Sequence, residues 1–272
     1  MQVITYPLAV AGQITRVIEA GDGPAILFLH GLGARADRWH GTVARFAALG
    51  YRAVAFDLPG HGLATKGAGV PNTVPKIADF VLAVLSELGI ETVVLVGTSL
   101  GAHIVATVAC KKPAMVPGLV LVGALGIAPL AQEVAESIRI NVKAQDKVRI
   151  RAKLSFVIAD PALITPALVE EEWRMNGSPG ALESFTVIGD YLADGIANDY
   201  VAEQLSALYP PEKLLLVWGS EDKAVPVSVG HACQQALGGP DLVLIDGAAH
   251  APYFEQPAAF DAPVVAFIAS LL

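Results

Sequence analysis

The chain has 272 residues, 54% hydrophobic and 16% charged, enough for one large or two small domains with a sizeable core, and this composition excludes disorder. Its net charge is −8 with no basic cluster, which excludes nucleic acid as an expected partner. Mean hydropathy is +0.54, yet the uncharged stretch from Met115 to Ala131 is broken by Pro117, Gly118, Gly123, Gly126 and Pro129 and falls short of the roughly 20 apolar residues of a membrane span.

The opening residues carry no basic side chain before Arg16, so they do not read as a secretory signal. Cys110 and Cys233 stand in no metal or redox spacing, and no disulfide framework is expected. The chain reads as a cytoplasmic protein without a membrane partner.

In chain order, "QITRVIEA" (Gln13 to Ala20) alternates apolar and polar residues, which suits an antiparallel or half-exposed strand near an edge. "AILFLH" (Ala25 to His30) and "YRAVAFD" (Tyr51 to Asp57) are continuous apolar runs, as in strands buried on both faces. Val74 to Leu88 repeats apolar residues at helical spacing and stops at Gly89. "TVVLVG" (Thr92 to Gly97) is another buried strand, followed by a helix from Ser99 to Cys110 that ends before Pro113. "GLVLVG" (Gly118 to Gly123) repeats the strand pattern.

The alternation then breaks. From about Gly126 to Tyr209 charge is richer, and "AQEVAESIRINVKAQDKVRIRAKLSF" and "PALVEEEWRM" read as helical. This segment is too long for a loop, so residues 126–209 are expected to form a helical insertion. The pattern resumes with "KLLLVWG" (Lys213 to Gly219), a helix from Val227 to Leu237, "DLVLID" (Asp241 to Asp246) and a last helix from Pro257 to Leu272. Strands alternating with helices predict an α/β fold with a mostly parallel, helix-covered sheet, built from residues 1–125 and 210–272.

Ligands meet such sheets at the carboxyl ends of the strands. Ser99 is at one of them, in "GTSLG". A Gly-x-Ser-x-Gly turn between strand and helix strains the serine backbone and projects its hydroxyl above the sheet. The alternative is a glycine turn with an idle serine. A serine nucleophile needs a base. Among six histidines, His250 in "GAAHAPYFEQP" follows a strand after a short loop and is free to reach across the sheet top. His103 lies one turn into the helix after Ser99, His40 and His231 fall in presumed helices, and His30 and His61 suit loop anchoring.

The base needs an orienting carboxylate. Asp222 in "WGSEDKAVP" lies just past a strand, with Glu221 pointing elsewhere. "ALGIAPL" after Gly123 holds no acid, and Asp57 reads as a brace for the "DLPGHG" turn. The oxyanion of an acyl transfer needs two N–H donors. Leu100, directly after the serine, is one candidate. Leu32 in "HGLG" is the other, with Gly33 as second choice; a simple glycine escape from the sheet is equally compatible with that loop.

With "HGLG", "DLPGHG", "GTSLG", "WGSEDKAVP" and "GAAHAPYFEQP" in this order, the whole chain resembles the α/β-hydrolase fold superfamily. The resemblance implies a Ser99, Asp222, His250 triad, no cofactor or metal, and a cap formed by the insertion. Ser99 stands where dehalogenases and soluble epoxide hydrolases carry aspartate. "LSFVIADPALITPALVEEEWRM" resembles the cap of meta-cleavage-product hydrolases, whose cap arginine precedes a tryptophan and meets the acidic end of the substrate. Here Glu172 precedes Trp173, and Arg174 lies about 200° around a helix from it.

Phe156, Glu172 and Trp173 are therefore the expected substrate-facing positions. The apolar residues Leu154, Phe156, Val157 and Trp173 fit a hydrophobic substrate and equally fit cap packing. Three functions follow. The first is hydrolysis of a hydrophobic carboxylic ester or lactone, and the second is C–C hydrolysis of a ring-fission dienone. The third is ligand binding without catalysis.

Overall fold

A computed structural model describes residues 2–129 and 131–272. The chain begins with β1 (Ile4–Val10), β2 (Gln13–Ala20) and β3 (Ala25–Leu29), followed by α1 (His40–Ala48) and β4 (Arg52–Phe56). Next come α2 (Val74–Glu87), β5 (Val93–Thr98), α3 (Leu100–Lys111) and β6 (Leu119–Val122). Among the described residues five α-helices separate β6 from the next strand: α4 (Gln132–Asn141), α5 (Lys147–Val157), α6 (Pro166–Asn176), α7 (Ala181–Asp194) and α8 (Ala202–Leu208). The chain closes with β7 (Leu214–Gly219), α9 (Val227–Ala236), β8 (Asp241–Ile245), α10 (Pro252–Glu255) and α11 (Pro257–Leu271).

The strands form one sheet of order β1-β2-β4-β3-β5-β6-β7-β8. The β1–β2 and β2–β4 pairs are antiparallel and every later pair is parallel. The apolar runs make two cores. Leu27, Leu29, Leu95 and Leu121 face α2 and α3, while Ile26, Phe28, Val96 and Val122 face α1 and α11. Alternate residues of one run thus serve opposite faces, which is why the central strands lack a polar side.

Two strands depart from the sequence reading. β8 is the sheet's edge, and Asp241 and Leu244 are exposed. Among the described residues nothing pairs beyond it, so its run is less buried than those of the central strands, although Leu242 still packs on one face and Val243 and Ile245 on the other. β1 pairs with β2 around a turn in which Ala11 and Gly12 take φ of 49° and 72°. Both central residues in the left-handed region give the tight hairpin whose twist matches its strands.

The expected insertion also divides. The long helical reading splits at Val142 to Asp146 into α4 and α5, where the Asp146 side chain accepts from the Arg149 amide at 2.9 Å and starts a second helix. α4 packs on α7 and α5 on α6, while α8 lies on α3 and α9.

Candidate active site

Ser99 caps α3 at the end of β5, with φ 56° and ψ −121°. Among the described residues only it and Ala11 are non-glycine residues at positive φ. Such a backbone costs of order 1–3 kcal/mol and persists only where packing enforces it. Here the enforcement is visible. A Cβ on Gly101 would stand 2.5 Å from the Leu29 and His30 carbonyl oxygens, and one on Gly97 would strike the Gly101 backbone. The two glycines let α3 pack directly onto the strands, and the turn between them has no slack. The helix starts at Leu100 rather than at Ser99, because the serine's dihedrals are not helical.

Asp222 follows β7 and is buried. Its Oδ1 accepts from the amides of Ala224 at 2.9 Å and Val225 at 2.8 Å. Its Oδ2 lies 2.7 Å from His250 Nδ1. A carboxylate partner makes Nδ1 the donor and leaves Nε2 as the basic nitrogen. Burial pulls the His250 pKa down, but the charge and hydrogen bond of Asp222, with the charge of Glu255, outweigh it and raise it above the ordinary 6.5. Gly123, at the end of β6, lies under this pair. A Cβ there would come 2.9 Å from His250 Nδ1.

The His250 loop is held by a residue the sequence reading left without a role. Glu255 Oε1 accepts from the Ala249 amide at 3.0 Å and the Ala251 amide at 3.3 Å, and its Oε2 from Ala159 at 2.6 Å. The signal was present in the quoted motif, five residues after His250, but a lone glutamate in a helical turn has no distinctive pattern.

His30, His61 and His103 serve structure, while His40 and His231 are exposed. His30 donates through Nδ1 to the Gly31 carbonyl at 2.8 Å and accepts from Leu58 N at Nε2, 2.9 Å away. His61 is buried with its Nδ1 2.9 Å from the Pro59 carbonyl, and His103 Nε2 reaches the Asp199 carbonyl at 2.7 Å. Asp57 braces its turn by accepting from the amides of Ala36 and Leu63, each at 2.8 Å. Glu221 is exposed, away from the site.

Ser99 and His250 line two cavities, which also share Leu32, Lys153 and Val157. The larger, about 260 Å³, is walled by Leu125, Val134, Ile138, Phe156 and Val225. The smaller, about 70 Å³, is reached by Gly33, Arg38, Glu172 and Tyr253. Leu32 faces both, Gly33 only the smaller. The Leu100 amide is the first of α3, where no intrahelical acceptor exists. Phe156 lines the larger cavity and Glu172 the smaller. Trp173 lines neither: it packs within the α5–α6 layer, with Lys147 Nζ 4.5 Å from its ring centre. As the residue after Glu172, it is turned about 100° around α6 from the cavity side.

Glu172 is buried and enclosed by cations. Arg35 Nη1 lies 2.6 Å from its Oε2, Lys153 Nζ 3.1 Å from its Oε1, and Arg38 Nη2 3.4 Å from its Oε2. Burial alone would raise its pKa, but Lys153, Arg38 and Arg35 overcome that and bring it to about 2. Arg35 also binds Glu171 and Asp37, and Arg16 joins Asp37 to Asp57. The network thus holds four cations and four carboxylates. Lys153 further donates to the Gly33 carbonyl at 2.9 Å, which pins the loop carrying Leu32. Nothing in "RIRAKLSF" distinguishes Lys153 from a solvated helix lysine. Its role depends on a partner 19 residues away and on a loop 120 residues away.

Comparison with known proteins identifies the family of the fold. Residues 24–257 match the family model described as alpha/beta hydrolase fold. The chain is 28% identical over 247 residues to a dihydrolipoyllysine-residue acetyltransferase component of an acetoin cleaving system from Cupriavidus necator, covering 90% of this chain but 63% of that protein's length. It is 26% identical over 260 residues to a 2-hydroxy-6-oxononadienedioate/2-hydroxy-6-oxononatrienedioate hydrolase of Burkholderia vietnamiensis, covering 92% of this chain and 89% of the relative. The solved structure of 2-hydroxy-6-oxo-6-phenylhexa-2,4-dienoate hydrolase from Rhodococcus sp. strain RHA1 superposes with a TM-score of 0.88 at 20% identity, covering 98% and 99% of the two chains. The chain belongs to the alpha/beta hydrolase family, and that membership supports hydrolase activity on a small-molecule substrate. Among the described residues no helix is long and apolar enough to cross a membrane.

Proposed function

We propose that this alpha/beta hydrolase cleaves a hydrophobic carboxylic ester or lactone through an acyl-enzyme, with Ser99 as nucleophile, His250 as base and Asp222 as its orienting acid. The observation that carries the reading is the 2.7 Å Asp222–His250 contact beside a serine held at positive φ, both ring and serine lining the same cavities. His250 Nε2 takes the Ser99 proton as Oγ attacks the carbonyl carbon. Asp222 stabilises the imidazolium so formed. The amides of Leu100 and Leu32 hold the oxyanion, with Gly33 as the alternative to Leu32. Collapse breaks the C–O bond, and His250 returns the proton to the leaving alcohol. Water then attacks the acyl-enzyme, its proton passing to His250, and Ser99 leaves protonated. No step calls for a metal or an organic cofactor.

The insertion acts as the cap of this site. Its α4 and α5 provide Val134, Ile138 and Phe156 to the larger cavity, which suits an apolar acyl or alcohol group. A panel of p-nitrophenyl esters and lactones tests the reading, with Ser99→Ala as control. Turnover is expected to fall by about four orders of magnitude or more while the fold is kept. Turnover equal to wild type in Ser99→Ala refutes it.

A second reading is C–C hydrolysis, favoured by the named activity of the Burkholderia relative. The network around Glu172, in which four carboxylates already hold four cations, weighs against it here, because a dienedioate brings two carboxylates. Comparing a dienedioate with an ester of similar size on one preparation separates the two.

A further inference from the structure

The smaller cavity has a charged wall whose chemistry the proposed reaction does not use. Lys153 and Arg38 reach it, and so does Glu172. Glu172 is buried, and both cations bind its carboxylate, Lys153 at Oε1 and Arg38 at Oε2. Arg35 behind them is likewise committed to carboxylates. Each cation of the wall is therefore held by a carboxylate, Lys153 and Arg38 by the one they share, within a network of four cations and four carboxylates.

An ammonium has three donors. The Gly33 carbonyl and Glu172 Oε1 take two from Lys153. One donor is left, on a side chain that lines both cavities beside Ser99. An ester, ketone or amide oxygen can accept it. A carboxylate placed there would share the cations with Glu172 at close range, and two anions in one desolvated site repel.

We propose that Glu172 sets the charge selectivity of this site: by holding Lys153 and Arg38, it makes the smaller cavity a subsite for an uncharged hydrogen-bond acceptor and closes it to carboxylates. The inference rests on the hydrolase reading above and adds the substrate class that the site accepts. Lys153 is the donor that touches the substrate, and Glu172 acts through it as a positioning residue.

The test uses two substrate series on the full chain. In one, p-nitrophenyl esters carry acyl chains of matched length ending in a methyl group, a methyl ester or a carboxylate. In the other, phenyl butyrates carry a methyl ester or a carboxylate on the ring, so that either end of the substrate can enter the smaller cavity. Wild type is expected to favour the methyl ester over the carboxylate in at least one series. Glu172→Gln keeps the shape of the side chain and should shift that kcat/KM ratio toward the carboxylate by about tenfold or more. Lys153→Met should reduce the preference for the methyl-ester chain over the plain chain.

A purely structural Glu172 predicts a parallel loss on all substrates with unchanged ratios, and that result overturns the proposal. Calorimetry of the same compounds with Ser99→Ala and Ser99→Ala/Glu172→Gln separates the two readings. If wild type turns over neither series, the hydrolase reading fails, and binding selectivity still decides the role of Glu172. Equal affinity for carboxylate and methyl ester in Ser99→Ala, unchanged by Glu172→Gln, overturns it on that arm as well.

Discussion

Replacing Glu172 by glutamine should change how the protein's stability depends on pH, by an amount the site itself sets. Burial opposes ionisation of Glu172, yet Lys153, Arg38 and Arg35 bring its pKa to about 2 against an ordinary 4.5. At about 1.4 kcal/mol per tenfold in proton affinity, folding favours the charged form by roughly 3 kcal/mol. A lowered folded-state pKa means that this contribution is complete above 4.5 and is lost as the pH falls toward about 2. By about pH 3.5 the loss is on the order of 1 kcal/mol. Glutamine cannot titrate and leaves three cations around an uncharged amide. At neutral pH the variant should be less stable by about 3 kcal/mol, within the roughly 5–15 kcal/mol of a typical domain, so it stays folded. Urea is the denaturant to use, because guanidinium is a salt and screens the effect. Unfolding is measured for both proteins at several pH values from about 7 to about 3.5, and the difference between them cancels the other carboxylates. That difference should shrink by on the order of 1 kcal/mol across the range. A difference that stays constant refutes the claim that the network holds Glu172 charged.

Three further outcomes follow from the geometry. Because His250 must be neutral to accept a proton and its pKa is raised above 6.5, the acid limb of the kcat/KM profile should lie above pH 6.5; a limb below that value contradicts the Asp222 contact. Asp222→Asn keeps the two loop hydrogen bonds at Oδ1 but presents the wrong partner to Nδ1, so kcat for a good ester should fall by about three to four orders of magnitude with little change in thermal stability. Gly101→Ala places a methyl group 2.5 Å from two backbone carbonyl oxygens, and should cost about 1–3 kcal/mol in urea unfolding and reduce turnover through displacement of Ser99; an alanine variant equal to wild type in both would show that the turn is not sterically determined.

The sheet was readable because its signal is local and repeated. "AILFL" and "VVLVGT" each bury alternate residues on opposite faces, and every residue just beyond such a run is a site candidate. The pair Asp222 and His250 could be chosen for the same reason, since each follows a strand, and the 2.7 Å contact needs no information beyond the order of β7 and β8. The ion network of the smaller cavity was not readable, although Glu172 itself was singled out. Arg35 and Glu172 are 137 positions apart, and each lies in a stretch whose charge pattern suits a solvated helix face. Only the fold brings them together, in a place where burial turns ordinary surface residue types into a fixed network. Trp173 shows the reverse failure. A tryptophan in a cap-like helix attracts attention, but one position of helical rotation sends it into the packing of α5 against α6.

The structure also alters how chemistry and selectivity relate in this site. Read from sequence, the nucleophile belongs to the sheet and substrate choice belongs to a segment elsewhere. In the fold the end of α5 touches both. The Val157 carbonyl accepts from the His250 amide at 3.2 Å, and the Ala159 amide donates to Glu255, which also holds the Ala249 and Ala251 amides. One turn earlier, Lys153 pins the Gly33 carbonyl in the loop that carries Leu32. The base and a proposed oxyanion donor are therefore positioned by the same short stretch that walls the cavities. A rigid link of this kind means that displacing α5 to admit a larger substrate also moves His250 or Leu32, and an ångström of misplacement costs about 100-fold in rate. Substitutions between positions 153 and 159 should consequently change kcat together with KM, whereas changes at Val134 or Ile138 on α4, whose apolar side chains line the larger cavity and cannot hydrogen-bond to either loop, should act mainly on KM.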